Sequence, residues 1–329
     1  MPNIATIRIY KCAIITPITI TEQSGKDLTD YAILLKLDSS WDGWDDVADD
    51  GSDIVFVDEY NNILFFWMER FDKNNQRAFI WVRIPSIPAN GSTRIFMLYG
   101  VKKALLTGLQ SMHKYAHDPS KVFRFFDNLE VWSGWGTLGN GSVTQACDRK
   151  YDGCYSLKKI NNCDPHGGYK DLGFTIDRSG WALEYAGFRG SGEGTDCYAD
   201  RVGLEDANGN GYSFALGHGS SPSLWIDKRS NGSPTELGKT SITDILSEWY
   251  IARLILLPDK VIARLFKNDY TLHAETSAND TSYTSFSRVA VRGGRPYYLD
   301  VIRLRPYTEP EPSIEIEPSV NGLRYTDLM

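Results

Sequence analysis

Short apolar runs, each closed by a turn-forming group, recur along most of the 329 residues and limit what the chain can fold into. Residues 7–20, 31–37, 53–57, 63–68, 78–82 and 93–98 are rich in β-branched and aromatic side chains and have strand length. Pairs that tolerate positive φ, as tight hairpins require, punctuate the rest: Gly139-Asn-Gly, Asp152-Gly, Asn208-Gly-Asn-Gly, Asn231-Gly and Gly293-Gly. Runs this short, with no long helical pattern between them, predict an all-β chain of antiparallel sandwiches rather than βαβ units.

The rhythm divides the chain. Residues 1–100 read as a small β-sandwich. Residues 101–120 break the pattern and read as a linker with one or two helical turns, ended by Asp118-Pro119-Ser120. Residues 121–307 read as a larger sandwich or jelly roll, with a hairpin around Pro258-Asp-Lys and a short helix over 241–248. In residues 308–329 the proline spacing disfavours a central strand, so this tail is expected to be extended, as an edge strand or a link to a partner.

Charge excludes some functions. The 35 Lys and Arg against 42 Asp and Glu leave a net charge of -7, which repels phosphate backbones, so no nucleic-acid partner is expected. No uninterrupted apolar stretch reaches the roughly 18 residues of a membrane-spanning helix, so no membrane insertion is expected. The opening Met-Pro-Asn-Ile-Ala-Thr lacks the features of a secretory signal. That fits a protein not exported by that route, numbering that begins after processing, or a virion component released by lysis.

Four of the five cysteines, Cys147, Cys154, Cys163 and Cys197, cluster and are disulfide candidates, with free thiols as the alternative; their pairing is open among three arrangements. Cys12 is the odd one, expected in a buried strand. No C-x-x-C or paired His gives zinc spacing. Asn90, Asn140, Asn231 and Asn279 head glycosylation sequons in turn-like contexts.

The motifs Pro17-Ile-Thr-Ile, Asp50-Gly-Ser-Asp-Ile, Trp67-Met-Glu, Ala78-Phe-Ile-Trp-Val-Arg-Ile-Pro, Ile87-Pro-Ala-Asn-Gly and Tyr99-Gly follow one another in order over some 85 residues. This part resembles the family called Domain of Unknown Function 2341, found in archaeal, bacterial and viral surface proteins. The resemblance implies an accessory β-sandwich and carries no catalytic residues. Val122-Phe-Arg-Phe-Phe-Asp-Asn-Leu-Glu, Asp152-Gly-Cys-Tyr-Ser-Leu, Asp200-Arg-Val-Gly-Leu-Glu-Asp and Tyr298-Leu-Asp-Val-Ile-Arg resemble a concanavalin A-like lectin or glucanase, or carbohydrate-binding-module, sandwich. That likeness implies a jelly roll that recognises carbohydrate.

Catalytic patterns are missing. A sandwich glycosidase needs two facing carboxylates, and no strand carries the Glu-x-Asp-x-x-Glu type of motif. No Gly-x-Ser-x-Gly elbow supports a serine nucleophile. The loop 206–211 lacks the twelfth-position carboxylate of a calcium hand and reads as a hairpin turn. The acids at 38–53, with Trp41 and Trp44 among them, read as a solvated loop. Asp127, Glu130 and Asp300 would meet if the first and last strands of the jelly roll pair, and would then suit a structural calcium ion. Flat rings stack on the apolar faces of sugars, so Trp135, Tyr169, Tyr198, Tyr212 and Trp225 are the ligand-binding candidates. Function is therefore expected to be non-catalytic adhesion or recognition of a cell-surface glycan or glycoprotein, by an extracellular or virion appendage such as a tail fibre or spike. Self-assembly into a homo-oligomer is a further expected partner relation. A structural subunit of a virion or surface filament, and then a glycoside hydrolase, are the alternatives.

Overall fold

A computed structural model describes residues 13–100, 103–161, 163–190, 199–294 and 296–321. Two units divide the chain: residues up to Arg124 together with those from Thr308, and Phe125–Tyr307. Both are antiparallel β-structures, as the turn-punctuated runs predict. The expected positions of Cys12, Cys197 and Tyr198 lie outside the described residues.

The first unit holds β1 (Ile14–Thr21), β2 (Leu28–Leu37), β3 (Val55–Asp58), β4 (Ile63–Leu64), β5 (Phe66–Asp72), β6 (Arg77–Ile87) and β7 (Ser92–Tyr99), then α1 (Lys103–Ala116) and α2 (Pro119–Val122). One sheet runs β2-β6-β5; the other runs from β1 through β7 and β3 to β4. Ile18, Ile20, Ile33, Leu35, Phe56, Ile80, Val82, Ile95 and Met97 of the two sheets share one core, which makes the sandwich. Trp41 and Trp44 of the acidic loop belong to that core rather than to solvent. The Trp41 indole donates to Thr16 Oγ1 at 3.1 Å, and buried Asp53 accepts the Ala48 and Gly100 amides.

Residues 103–116 form a single four-turn helix, not a linker of one or two turns. Leu109 and Met112 fall at helical spacing and cover Ile15, Val55, Val57, Phe96 and Leu98 on the outer face of the β1 sheet. That apolar face needs a cover, and α1 supplies it. Asp118 caps α2 by accepting the Ser120 amide, with Pro119 in the first turn.

The tail is not a free extension. Beyond Thr308 the chain rejoins the first unit as β23 (Ser313–Ile316) and β24 (Val320–Asn321), both antiparallel to β1. Ile314 and Ile316 pack against the core, and Glu317 accepts from Thr19 Oγ1 and pairs with Arg94 at 2.5 Å. Ser319 Oγ meets Thr16 and Tyr99 at 2.8 Å each. The prolines fall outside β23, in keeping with its place at a sheet edge.

Just past the end of α1, His117 Nε2 accepts the Met68 amide at 3.0 Å, and its ring stacks on His113, whose Nδ1–H donates to the Ile54 carbonyl. Burial, then the neighbouring His113, hold His117 down to about 4. An unfolded His titrates near 6.5, so the unfolded chain binds the extra proton between those values, and stability is lost as pH falls through that window. His117→Gln keeps an acceptor for Met68 without the titration. The first unit's melting temperature should therefore drop less between pH 7 and pH 4.5 in this variant than in wild type. Parallel curves for the two proteins would contradict the assignment.

The second unit contains β8 (Phe125–Asp127), β9 (Trp135–Leu138), β10 (Ser142–Ala146), β11 (Ser156–Asn161), β12 (Gly167–Ile176), β13 (Trp181–Phe188), β14 (Ala199–Glu205) and β15 (Gly211–Gly217). It continues with β16 (Ser223–Ser230), β17 (Ser233–Ser241), β18 (Trp249–Leu256), β19 (Lys260–Lys267), β20 (Leu272–Asn279), β21 (Phe286–Gly293) and β22 (Tyr297–Pro306). An eight-stranded sheet has the order β10-β11-β22-β13-β18-β19-β20, with β8 on β22; a seven-stranded sheet runs β17-β16-β15-β14-β21-β12-β9. Leu183, Ala252, Leu254 and Leu304 of the first sheet and Val202, Leu204, Phe214, Ile226, Val289 and Val291 of the second form one core. The first and last strands pair, Asp127 opposite Ile302, which is the jelly-roll closure.

No helix forms at 241–248. Asp244 accepts from Gly219 and His218, and the Ser247 amide donates to Arg189 O, so this backbone is spent on neighbouring elements. Asp206 accepts the Asn208 and Asn210 amides and closes the β14–β15 turn, as a hairpin should. All four sequon asparagines are exposed.

Candidate functional site

Strand alternation builds a polar layer on the outer face of the seven-stranded sheet. Every second residue of a strand points the same way. With Val202 and Leu204 in the core, Arg201, Gly203 and Glu205 face outward from β14. By the same rule β21 presents Arg288, Ala290 and Arg292, and β16 presents Trp225, Asp227 and Arg229. Register then lines them up. One row runs Tyr169, Ala290, Gly203, Ser213, Asp227. On one side of it lie Arg292, Arg201, Ala215 and Trp225; on the other lie Arg288, Glu205, Gly211 and Arg229.

The middle row is small at Ala290, Gly203 and Ser213, and long side chains lie across it. Arg292 reaches Glu205 in a bidentate pair at 2.8 and 2.7 Å. Arg229 Nε donates to Ser213 Oγ at 3.0 Å and stands 3.8 Å from Glu205. Asp227 accepts from Arg201 Nε at 2.5 Å and from the Trp225 indole at 2.9 Å. Asp164 meets Arg229 at 2.7 Å, and Arg292 also donates to the Pro165 carbonyl. Four guanidiniums thus share three carboxylates, and Arg229 and Glu205 are fully buried. The Arg288 Nε is buried with no hydrogen-bond partner, and its guanidinium lies 4.9 Å over the Tyr169 ring. Trp225 has Arg201 and Lys239 at 5.5 and 5.1 Å from its ring. Lys239 is exposed and Tyr169 and Arg201 are half-buried, so the layer opens to solvent at both ends of the rows.

The buried pairs therefore hold the solvent-reaching side chains Tyr169, Arg201 and Lys239 in fixed positions, while Trp225 itself is only 8% exposed. Of the five ligand-binding candidates, Tyr169 and Trp225 share this face. Tyr212 does not: it points into the core, fully buried, with its hydroxyl bonded to Asp280 and Arg178. Trp135 packs against the core at the β9 edge. The charged members Arg201, Glu205, Asp227, Arg229, Arg288 and Arg292 were not singled out from sequence. Their signal is charge at alternate positions of apolar strands, as in Arg201-Val-Gly-Leu-Glu205 and Arg288-Val-Ala-Val-Arg292.

Among the described residues no three His, Cys, Asp or Glu side chains gather as a metal site. Asp127, Glu130 and Asp300 do different work. Asp127 accepts from Lys170, the Trp135 indole and the Leu129 amide. Asp300 takes the Tyr151, Asp152 and Val301 amides, while Glu130 takes those of Cys154 and Tyr155. Burial pushes Asp300 up to about 7 against those donors. Two of these acids therefore clamp the loop between β10 and β11. Cys147 and Cys154, at the two ends of that clamped loop, are free exposed thiols rather than bridged, whereas Cys163 is disulfide-bonded.

Behind the polar face, Asp200 points the other way from Arg201 and meets Arg189 at 2.6 Å and His218 Nε2 at 3.2 Å. His218 Nδ1 lies 2.6 Å from Asp244. Burial pulls this imidazole down, but the two carboxylates outweigh it and raise it above its ordinary range. The cluster ties β13, β14 and β15 to the 242–247 segment and so fixes the strand that carries Arg201.

The chain is thus an all-β protein whose larger unit is a two-sheet sandwich with a preorganised polar face. Residues 50–136 match the family described as a domain of unknown function, DUF2341. An uncharacterized protein of Methanocaldococcus jannaschii is 35% identical over 189 residues, 55% of this chain; the match spans only 18% of that protein's length. Among solved structures, the carbohydrate-binding module CBM66 from Bacillus subtilis aligns with a TM-score of 0.42 at 14% identity, over 53% of this chain and 96% of the module. The globular domain of T. cruzi calreticulin aligns with a TM-score of 0.42 at 10% identity, over 57% of this chain and 89% of that domain.

Proposed function

We propose that the second unit is a non-catalytic glycan-binding module and that the outer face of its seven-stranded sheet is the binding surface. The observation that carries this reading is the prepaired layer of Arg201, Glu205, Asp227, Arg229 and Arg292, flanked by Trp225 and Tyr169. The buried guanidiniums and carboxylates lock the floor, so that Arg201, Lys239 and the Tyr169 ring, which reach solvent, meet a sugar's hydroxyl groups and apolar face without reorganisation. Each carboxylate of the layer already receives a guanidinium, which suits a recognition floor better than an acid and a base set across a glycosidic bond. The disulfide at Cys163 supports maturation in an oxidising compartment, and we place the protein on a cellular or virion surface appendage.

Arg201 is the member to test, because 13% of its side chain reaches solvent and it bridges Asp227 and Trp225. On a glycan array the wild-type chain should retain one class of glycan. Arg201→Ala and Tyr169→Ala should each weaken that binding about tenfold or more, the scale of an anchor residue. An array without a hit, or a hit that both variants keep at full strength, would retire the proposal.

A further inference from the structure

A second surface lies at the β9 edge of the same unit. Val131 is 74% exposed, Trp132 37% and Tyr155 39%. Large apolar side chains left in water by a loose loop would mean little, but this loop is bolted down. The Leu129 amide donates to Asp127 at 2.9 Å, and Leu129 itself is fully buried with φ +64°. Gln145 Nε2 donates to the Leu129 carbonyl at 2.6 Å and to that of Glu130 at 3.3 Å. The Glu130 carboxylate holds the Tyr155 amide at 2.9 Å, which brings the third exposed side chain to the same loop.

The Trp132 ring lies nearly parallel to that of Trp135, at 6.2 Å and 14°. Trp135 cannot swing away: its indole N–H is bonded to Asp127, which Lys170 also holds at 2.7 Å. Trp135 thus backs one face of Trp132, while a third of the Trp132 surface stays in water. A rigid aromatic plane kept in solvent by a buried carboxylate and a positive-φ leucine is a preorganised recognition element.

We propose that Trp132 is a stacking platform for a pyranose ring, a subsite separate from the sheet face, with Tyr155 and Val131 as its apolar rim. A sugar ring is the occupant that fits. The patch has only three large apolar side chains among the polar Glu130, Ser133 and Lys170. A stable protein partner would cover about 800 Å² on this side, whereas one flat ring needs one indole. The subsite rests on the reading of the second unit as a glycan binder. It extends that reading to ligands with more than one sugar residue, since the sheet face and the Trp132 platform are different contacts.

Affinity electrophoresis of the full chain through gels carrying xylan, laminarin, mannan or alginate separates the two claims. The polysaccharide that retards wild type should hold Trp132→Ala at least tenfold more weakly, with Trp132→Phe restoring most of the retardation. The thermal unfolding of Trp132→Phe should match wild type, because a ring is kept against Trp135, so that this variant separates lost stacking from a lost fold. Full retardation of Trp132→Ala alongside lost retardation of Arg201→Ala would overturn the subsite and leave the sheet face standing. A wild type that none of the four polysaccharides retards would overturn both.

Discussion

Replacing Glu205 with Gln is expected to cost the second unit about 3–5 kcal/mol of stability, the usual penalty for removing one partner from a buried ion pair. Glu205 is fully buried and is the acceptor for both arms of Arg292, with Arg288 and Arg229 at 3.6 and 3.8 Å. The amide would turn an N–H2 group toward guanidinium donors and leave positive charge buried without its counter-charge. Urea unfolding followed by hydrogen exchange at the Val202–Glu205 amides would read the effect on this unit alone. Adding Arg292→Gln to Glu205→Gln should cost less than the sum of the two single changes, because the stranded charge goes with it. A single-variant loss below about 1 kcal/mol would show that the layer is solvated and not a locked floor.

The second large effect concerns the first unit. Ending the chain at Tyr307 removes β23 and β24 from β1. It also removes the Ile314 and Ile316 contacts and the hydroxyl network that joins Thr16, Tyr99 and Ser319. Four paired residues of β1, Ile18–Thr21, would become an open edge. The lost hydrogen bonds and partly buried isoleucines together amount to ~5 kcal/mol, and an uncovered β-branched edge invites pairing with other chains. Light scattering should rise and the melting temperature of this unit should fall. Ile314→Asp with Ile316→Asp in the full-length chain should reproduce the lower melting temperature. A truncated chain that stays monodisperse and melts like wild type would show that the returning strand contributes nothing.

Much of this architecture is legible in the sequence because strands advertise themselves locally. The apolar run at 31–37 becomes the second half of β2, and Pro258-Asp-Lys turns β18 into β19 as read. The failures have a common cause, which is that partners distant in sequence decide them. The 103–116 stretch lengthens into a full helix because the outer face of the β1 sheet needs Leu109 and Met112. The 241–248 stretch loses its helix to Asp244 and Ser247 contacts with His218, Gly219 and Arg189. β23 pairs with a strand some 300 residues earlier, which no local pattern announces.

The site divides in the same way. Aromatic residues draw attention by their chemistry, and two of the five candidates, Tyr169 and Trp225, do lie on the polar face. Nothing local separates them from Tyr212, whose ring points the other way because its register places it opposite Leu204 and Lys228. The arginines and acids of the face carry no comparable flag in the sequence. Only the cross-strand register, Arg201 beside Arg292 and Glu205 beside Arg288, turns separate period-two patterns into one layer. The three acids read as calcium ligands lie near the closing strands, where Asp127 accepts from Lys170 and the Trp135 indole while Asp300 and Glu130 accept backbone amides.

Because the chain leaves the first unit after α2 and returns to it as β23, the second unit is a loop in mechanical terms. β1 meets β24 at Ile14 and Asn321, so a tension entering at Ala13 and leaving at Asn321 crosses the sheet of the first unit alone. The second unit carries none of that load until β24 and then β23 unzip from β1. A chain pulled between these two points would therefore yield first in the first unit and leave the second folded.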